Sequence, residues 1–159
     1  MSTIVKTACY TGNSSKIVEV ESAYTRGFVG LQLIGNPSET CREGKDRAKA
    51  ALEALNCKFP HKKILISLTP GEMKKNGGHL DLPIAISLAM LVNDLKPQVQ
   101  VNRWLFAAEV GINGQLKPVK GSIPLALTAI REGLKGIVVA NDNLREMFTL
   151  RQFNNKKMK

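Results

Sequence analysis

The chain has 159 residues, 43% of them hydrophobic, which is enough for one domain with a proper core and too little for two. A formal net charge of +10 makes association with a polyanion electrostatically easy. No stretch reaches about 18 apolar residues and no amino-terminal segment resembles a signal peptide, so the sequence predicts a cytosolic protein without a membrane span. We expect residues 1–150 to form a single domain and residues 151–159 to be a disordered basic tail.

The first predicted elements are three strands. Segments 4–10 and 16–23 are rich in β-branched residues and are separated by a glycine-containing polar turn, which predicts a hairpin. Residues 28–34 predict a third strand, buried on at least one face, which Gly35-Asn36-Pro37 ends.

A helix and a strand are predicted next. Ser38 can cap a helix over residues 39–56, whose core face has the i, i+3, i+4, i+7 spacing at Ala48, Ala51, Leu52 and Leu55. The charged face of this helix alternates acids with bases, so we expect those side chains to be solvated. Residues 62–69 return as an apolar strand.

The most distinctive stretch is a glycine turn that leads into an apolar helix. Gly77 and Gly78 allow backbone angles that other residues avoid. Asp81 is placed to accept hydrogen bonds from amides at the helix start, and Pro83 suits the first helical turn. Nearly every residue from 82 to 95 is apolar, which predicts a central helix packed on several sides.

The remaining predicted elements form a second hairpin, a helix and a short strand. The hairpin comprises strands over residues 104–112 and 115–119 with Asn113-Gly114 as its turn. A helix follows from Ser122 to Gly133, then a strand over residues 137–140 and a short helix over residues 141–150.

Three ordered segments carry a family resemblance. Residues 77–86 read Gly-Gly-His-Leu-Asp-Leu-Pro-Ile-Ala-Ile, and with residues 27–37 and 108–121 they resemble the amino-terminal domain of the ComM/YifB group of magnesium-chelatase-like AAA+ proteins. The resemblance covers most of residues 3–140. It implies an α/β (α+β) fold like the proteolytic domain of Lon and, more distantly, like ribosomal-protein domain 2, with a mixed sheet around a buried central helix.

The same resemblance implies an ATPase module as partner, in cis or in trans, and makes an oligomer plausible. A Walker sequence needs GxxxxGK followed by Ser or Thr, and this sequence has none, so we expect ATP and magnesium to bind only to that module. Cys9, Cys41 and Cys57 are odd in number and lack a CxxC pair, which predicts structural thiols and no metal site.

Lon-type proteolysis needs a serine nucleophile and a lysine that takes its proton. The resemblance places His79 at the serine position and Ile123 at, or within one residue of, the lysine position. Isoleucine cannot act as a base, so we expect this chain to have no catalytic residues and no protease activity.

Three functions remain open. We favour a noncatalytic Lon-like domain that serves an AAA+ ATPase, a role that the resemblance ties to DNA processing, including branch migration in natural transformation. The second is a residual Lon-type serine peptidase with His79 as base and Ser122 or Ser87 as nucleophile. The third is a free-standing basic nucleic-acid-binding module.

Four basic residues in predicted loops are candidate phosphate contacts because few acids adjoin them in sequence, namely Arg26, Lys74, Lys75 and Arg103. Only 5% of the chain is aromatic and Trp104 is expected in the core. We therefore expect weak, sequence-independent binding of DNA, mainly through phosphates, that falls as salt rises.

Overall fold

The computed structural model describes residues 4–148. The predicted tail over residues 151–159 and the last two residues of the predicted final helix lie outside this range. The strands are β1 (Val5–Thr11), β2 (Ser14–Thr25), β3 (Gly30–Ile34), β4 (Lys63–Thr69), β5 (Trp104–Ala107), β6 (Glu109–Val110), β7 (Leu116–Lys117) and β8 (Gly136–Val139). The α-helices are α1 (Glu39–Ala54), α2 (Asp81–Val92) and α3 (Ser122–Arg131), and residues 144–148 are also helical. Short 3-10 turns occupy Gly78–Leu80, Val101–Arg103 and Asn141–Asn143.

Six of the strands form one mixed sheet in the order β3-β4-β2-β1-β5-β8. The β1–β2 hairpin is antiparallel, with Val5 opposite Val20 and Thr11 opposite Ser14, and β4 runs antiparallel to β2 on its other edge. The pairs β3–β4, β1–β5 and β5–β8 are parallel. This mixed sheet, combined with the three α-helices, confirms the predicted α/β fold class.

Helices pack on both faces of the sheet, because successive apolar side chains of a strand point to opposite faces. Val5 and Cys9 of β1 pack into the cluster formed with α1 and α2, whereas Ala8 packs against Leu125 and Ala129 of α3. The β6–β7 hairpin is a separate two-stranded sheet. None of the helices within residues 4–148 has the length and apolar character needed to cross a membrane.

The predicted central helix is confirmed as α2, which is buried along most of its length, including Ile84 and Leu88. It ends earlier than the apolar run suggests. Asn93 closes it, and Asp94 adopts a positive φ of 46° that a continuing helix cannot use. Leu95 therefore lies outside the helix and is 52% exposed.

Two predicted strands differ from the structure. The strand predicted over residues 28–34 begins only at Gly30, because Gly27 and Gly30, with φ of 138° and 151°, hold the intervening residues in a bend outside the sheet. The strand predicted over residues 104–112 breaks at Ala108. There the backbone bonds instead to the start of α2, since Ala108 donates to the His79 carbonyl and accepts from the Leu82 amide.

Candidate functional site

The glycine turn before α2 is tightly packed around His79. Gly77 has φ 121°, and a Cβ at this position would lie 2.5 Å from Nδ1 of His79. A Cβ at Gly78 would lie 3.1 Å from Oε2 of Glu109. The turn therefore needs glycine at Gly77 for both its backbone angle and its closeness to the histidine ring.

His79 is buried and bonded to the sheet. Its Nε2 lies 2.7 Å from the carbonyl oxygen of Ala8, an acceptor, so Nε2 carries the proton. Its ring meets the Tyr10 ring edge-on, with centroids 6.1 Å apart. Burial lowers the pKa of His79, although the bond to Ala8 opposes the shift. The side chain thus packs as a neutral donor that joins the start of α2 to β1.

We predict that lowering the pH from about 7.5 to about 5.5 destabilises the protein through His79. The folded-state pKa is depressed, so the unfolded chain takes up a proton that the folded chain does not, and stability is lost as the pH falls below the unfolded value. The slope for one proton reaches about 1.4 kcal/mol per pH unit. His79→Gln keeps a donor without the titration and should flatten this slope in urea denaturation. His61→Gln, at an exposed position, is the matched control, and equal effects of both substitutions would contradict the assignment.

The prediction that Asp81 accepts hydrogen bonds from amides at the start of its own helix is wrong. Leu80 is the N-cap of α2, and no side chain caps it. Asp81 is fully buried inside the first turn and accepts hydrogen bonds from Arg47, at 2.8 Å from Nε and 3.0 Å from Nη2, and from the Val110 amide at 3.2 Å. Burial raises the pKa of the Asp81 carboxyl, and the Arg47 and Val110 bonds act to lower it. The carboxylate therefore ties α2 to α1 and β6.

Space for this ion pair comes from a glycine within α1. A Cβ at Gly44 would lie 2.4 Å from Oδ1 of Asp81, so the close approach of α1 to the carboxylate requires glycine. Arg47 lies one turn further along α1. The expectation that the charges of this helix are solvated is therefore wrong for Arg47, because the arginine reaches a carboxylate on a neighbouring helix. The glycine inside a helical pattern was the sequence signal for this contact.

The serines considered as nucleophiles are bonded elsewhere. The Ser122 hydroxyl donates to Glu146, and the Ser87 hydroxyl donates to the Ser22 hydroxyl at 2.7 Å. Tyr10 contacts His79 with its ring and donates from its hydroxyl to the Gly121 carbonyl. The half-buried side chain of Ile123 lies in the first turn of α3. The arrangement joins β1, α2 and α3, and the hydroxyls of Ser122 and Ser87 bond to residues other than His79.

The candidate phosphate contacts do not form one surface. Arg26, Lys74 and Arg103 are exposed, but Lys75 is fully buried and its ammonium donates to the Pro70 carbonyl, so its assignment as a phosphate contact is wrong. Burial of Lys75 follows from its backbone, which bonds on both sides to residues 36–38. Burial also lowers its pKa. Arg26 follows the last residue of β2, at the end of the sheet where β4 begins. Lys74 lies beyond the last residue of β4, at the opposite end of the sheet.

The sequence did not indicate an aromatic and basic group beside Arg26. Phe28, expected in a buried strand, is 97% exposed, and the Lys62 ammonium lies 4.9 Å from the ring centroid of Tyr24. The two glycines that flank Phe28 were the available signal for a bend. Among residues 4–148, no group of three His, Cys, Asp or Glu side chains could hold a metal ion.

Comparison with known proteins gives consistent matches. The family model described as subunit ChlI of Mg-chelatase matches residues 20–143. The chain is 35% identical over 144 residues to uncharacterized protein YifB of Escherichia coli (strain K12), and 33% identical over 143 residues to competence protein ComM of Haemophilus influenzae. These alignments cover 91% and 90% of this chain but 28% of each relative. Lon protease 2 of Syntrophobacter fumaroxidans is 26% identical over 145 residues, covering 87% of this chain and 18% of that protease.

Proposed function

Because the chain belongs to the family of subunit ChlI of Mg-chelatase, together with ComM and YifB, we propose that it is a noncatalytic Lon-like domain serving an AAA+ ATPase module. The chain spans less than a third of the length of ComM and YifB, so the ATPase activity of such a protein would reside in the remaining part, in cis or in trans. ATP and magnesium would bind to that module. We further propose that the assembly processes DNA, in line with a relative named for competence and with the net charge of +10.

The hydrogen bonds of Ser122 and Ser87 are the observation that carries the noncatalytic assignment. A base that activates a serine must have the hydroxyl within about 2.6–3.2 Å of an accepting nitrogen. Here Nε2 donates to a carbonyl of β1, which leaves Nδ1 as the accepting nitrogen of His79. The Ser122 and Ser87 hydroxyls donate instead to Glu146 and to Ser22. Ile123, which the family resemblance places at, or within one residue of, the Lon lysine, offers no base.

We expect the purified 159-residue chain neither to degrade fluorescent casein nor to react with a fluorophosphonate probe. A catalytically active Lon protease serves as the positive control for both assays. The Ser122→Ala and Ser87→Ala variants identify the source of any signal. Probe labelling that requires Ser122 and is lost in His79→Ala would establish the residual-peptidase function instead.

The accessory part of the proposal has its own test. The genomic sequence around the coding region should contain a Walker-type ATPase module, and the purified chain alone should not hydrolyse ATP. ATP hydrolysis by the chain, or a genome without such a module, would contradict the accessory role.

A further inference from the structure

The bend between β2 and β3 presents an aromatic ring almost entirely to solvent. Residues 26–29 leave the sheet, and Phe28 at the centre of this bend is 97% exposed. Its neighbour Val29 is also exposed. Phe28 contributes nothing to the described hydrophobic core, which is unusual for a residue type that normally dominates cores and interfaces.

Strand pairing brings basic residues to the same end of the sheet. Thr25, the last residue of β2, pairs with Lys63 at the start of β4, and Gly30 at the start of β3 pairs with Lys63 on the other edge. Gly27 lies against the Lys63 side chain, since a Cβ there would be 2.8 Å from Lys63 Cδ. We define the bend patch as Tyr24, Arg26, Phe28, Lys62 and Lys63.

The bend patch has a positive charge that no neighbouring acid offsets. Neither residues 22–38 nor residues 54–71 contain an Asp or Glu. Within the described part of the chain, Arg26, Lys62 and Lys63 take part in none of the ion pairs, and Glu53 at the end of α1 pairs with Lys49 at 3.9 Å. Lys62 instead lies over the partly exposed Tyr24 ring, a cation–π contact that holds its ammonium beside the aromatic surface.

We propose that the bend patch binds single-stranded nucleic acid, with a base stacked on Phe28 and phosphates contacting Arg26, Lys62 and Lys63. Aromatic platforms beside cationic groups are the usual means of holding a single strand without regard to sequence. A duplex keeps its bases stacked on one another, so it offers Phe28 no base face, and the cations alone contact its phosphates. The bend patch therefore binds single strands more tightly than duplexes.

This inference gives the DNA part of the proposed function a surface and a preferred form of substrate. The noncatalytic role does not depend on it. A chain that fails to bind single strands yet lacks proteolysis refutes the bend patch alone, whereas probe labelling through Ser122 refutes the noncatalytic role alone.

The test is fluorescence anisotropy of the full chain with labelled oligo-dT and oligo-rU of about 12 nucleotides, against a duplex of equal length. We expect Phe28→Ala to weaken single-strand binding about tenfold, Phe28→Trp to retain it, and duplex binding to change little. Phe148→Ala removes another exposed phenylalanine away from the bend and is the matched control. The two oligonucleotides show whether the patch prefers DNA or RNA.

Salt dependence tests the phosphate contacts separately. The slope of log K against log salt is about −0.7 for each phosphate neutralised on a single strand, so Lys62→Ala with Lys63→Ala should flatten it by about 1.4. Circular dichroism verifies that each variant is folded. Equal loss in Phe28→Ala and Phe148→Ala, equal binding of single strand and duplex, or loss of all binding when the chain is cut after residue 150 would overturn the proposal. So would a chain that binds no oligonucleotide, which would leave the exposed ring to a protein partner.

Discussion

Replacing Asp81 with alanine is expected to lower the free energy of unfolding by about 3–5 kcal/mol, the range for removing one partner of a buried ion pair. The substitution leaves the Arg47 guanidinium, whose side chain is only 25% exposed, without its carboxylate. It also removes the acceptor of the buried Val110 amide. Arg47 then keeps only Glu43 and the Thr40 carbonyl, while the Val110 amide is left without an acceptor where water has little access. Equilibrium urea denaturation, monitored by circular dichroism, measures the change.

Asp46→Ala is the matched control, because Asp46 is 72% exposed and its ion pair with Lys45 is on the surface. We expect that change to cost no more than about 1 kcal/mol. A cycle with Arg47→Leu and the double variant then separates the pair from its surroundings. If Asp81→Ala costs no more than Asp46→Ala, the carboxylate does not join the two helices.

Replacing Leu88 with alanine is expected to cost about 2–5 kcal/mol, because the side chain is fully buried in α2 and belongs to the main core cluster. The loss combines apolar surface returned to water with a cavity that the surrounding helices and sheet fill incompletely. The same denaturation experiment gives the value.

Leu95→Ala makes the same chemical change three residues beyond the end of α2, where the side chain is 52% exposed. We expect it to cost less than about 0.5 kcal/mol. Similar values for Leu88→Ala and Leu95→Ala would mean that the core is not centred on α2.

The elements that the sequence predicted well are those whose signals are local. The β1–β2 hairpin follows from two β-branched segments around a glycine turn, and α2 follows from a long apolar run after paired glycines. The end of α2 was misjudged because apolar residues continue past Asn93, and the positive φ of Asp94 cannot be read from hydropathy.

The contacts of the site could not be predicted because their partners are distant in sequence. Asp81 and Arg47 are 34 positions apart, and a local pattern offers Asp81 only the amides of its own helix. Lys75 lies beside Lys74 in what the sequence presents as a polar loop, yet its backbone pairing with residues 36–38 buries it. Phe28 has the sequence pattern of a strand start, but the positive φ of Gly27 and Gly30 places it in a bend.

The position of β1 in the sheet has a consequence for how the chain folds during synthesis. β1 is made before the other five strands of its sheet, yet it lies inside the sheet, between β2 and β5. β1 can pair with β2 as soon as both strands are made. Its pairing with β5, between Lys6 and Leu105, requires about a hundred further residues. A pairing between strands so distant in sequence must first close a long loop, and the entropy lost in closing it slows folding. On the ribosome, one edge of the nascent hairpin therefore stays unpaired until β5 emerges, and in that interval it is open to association with other unfinished chains.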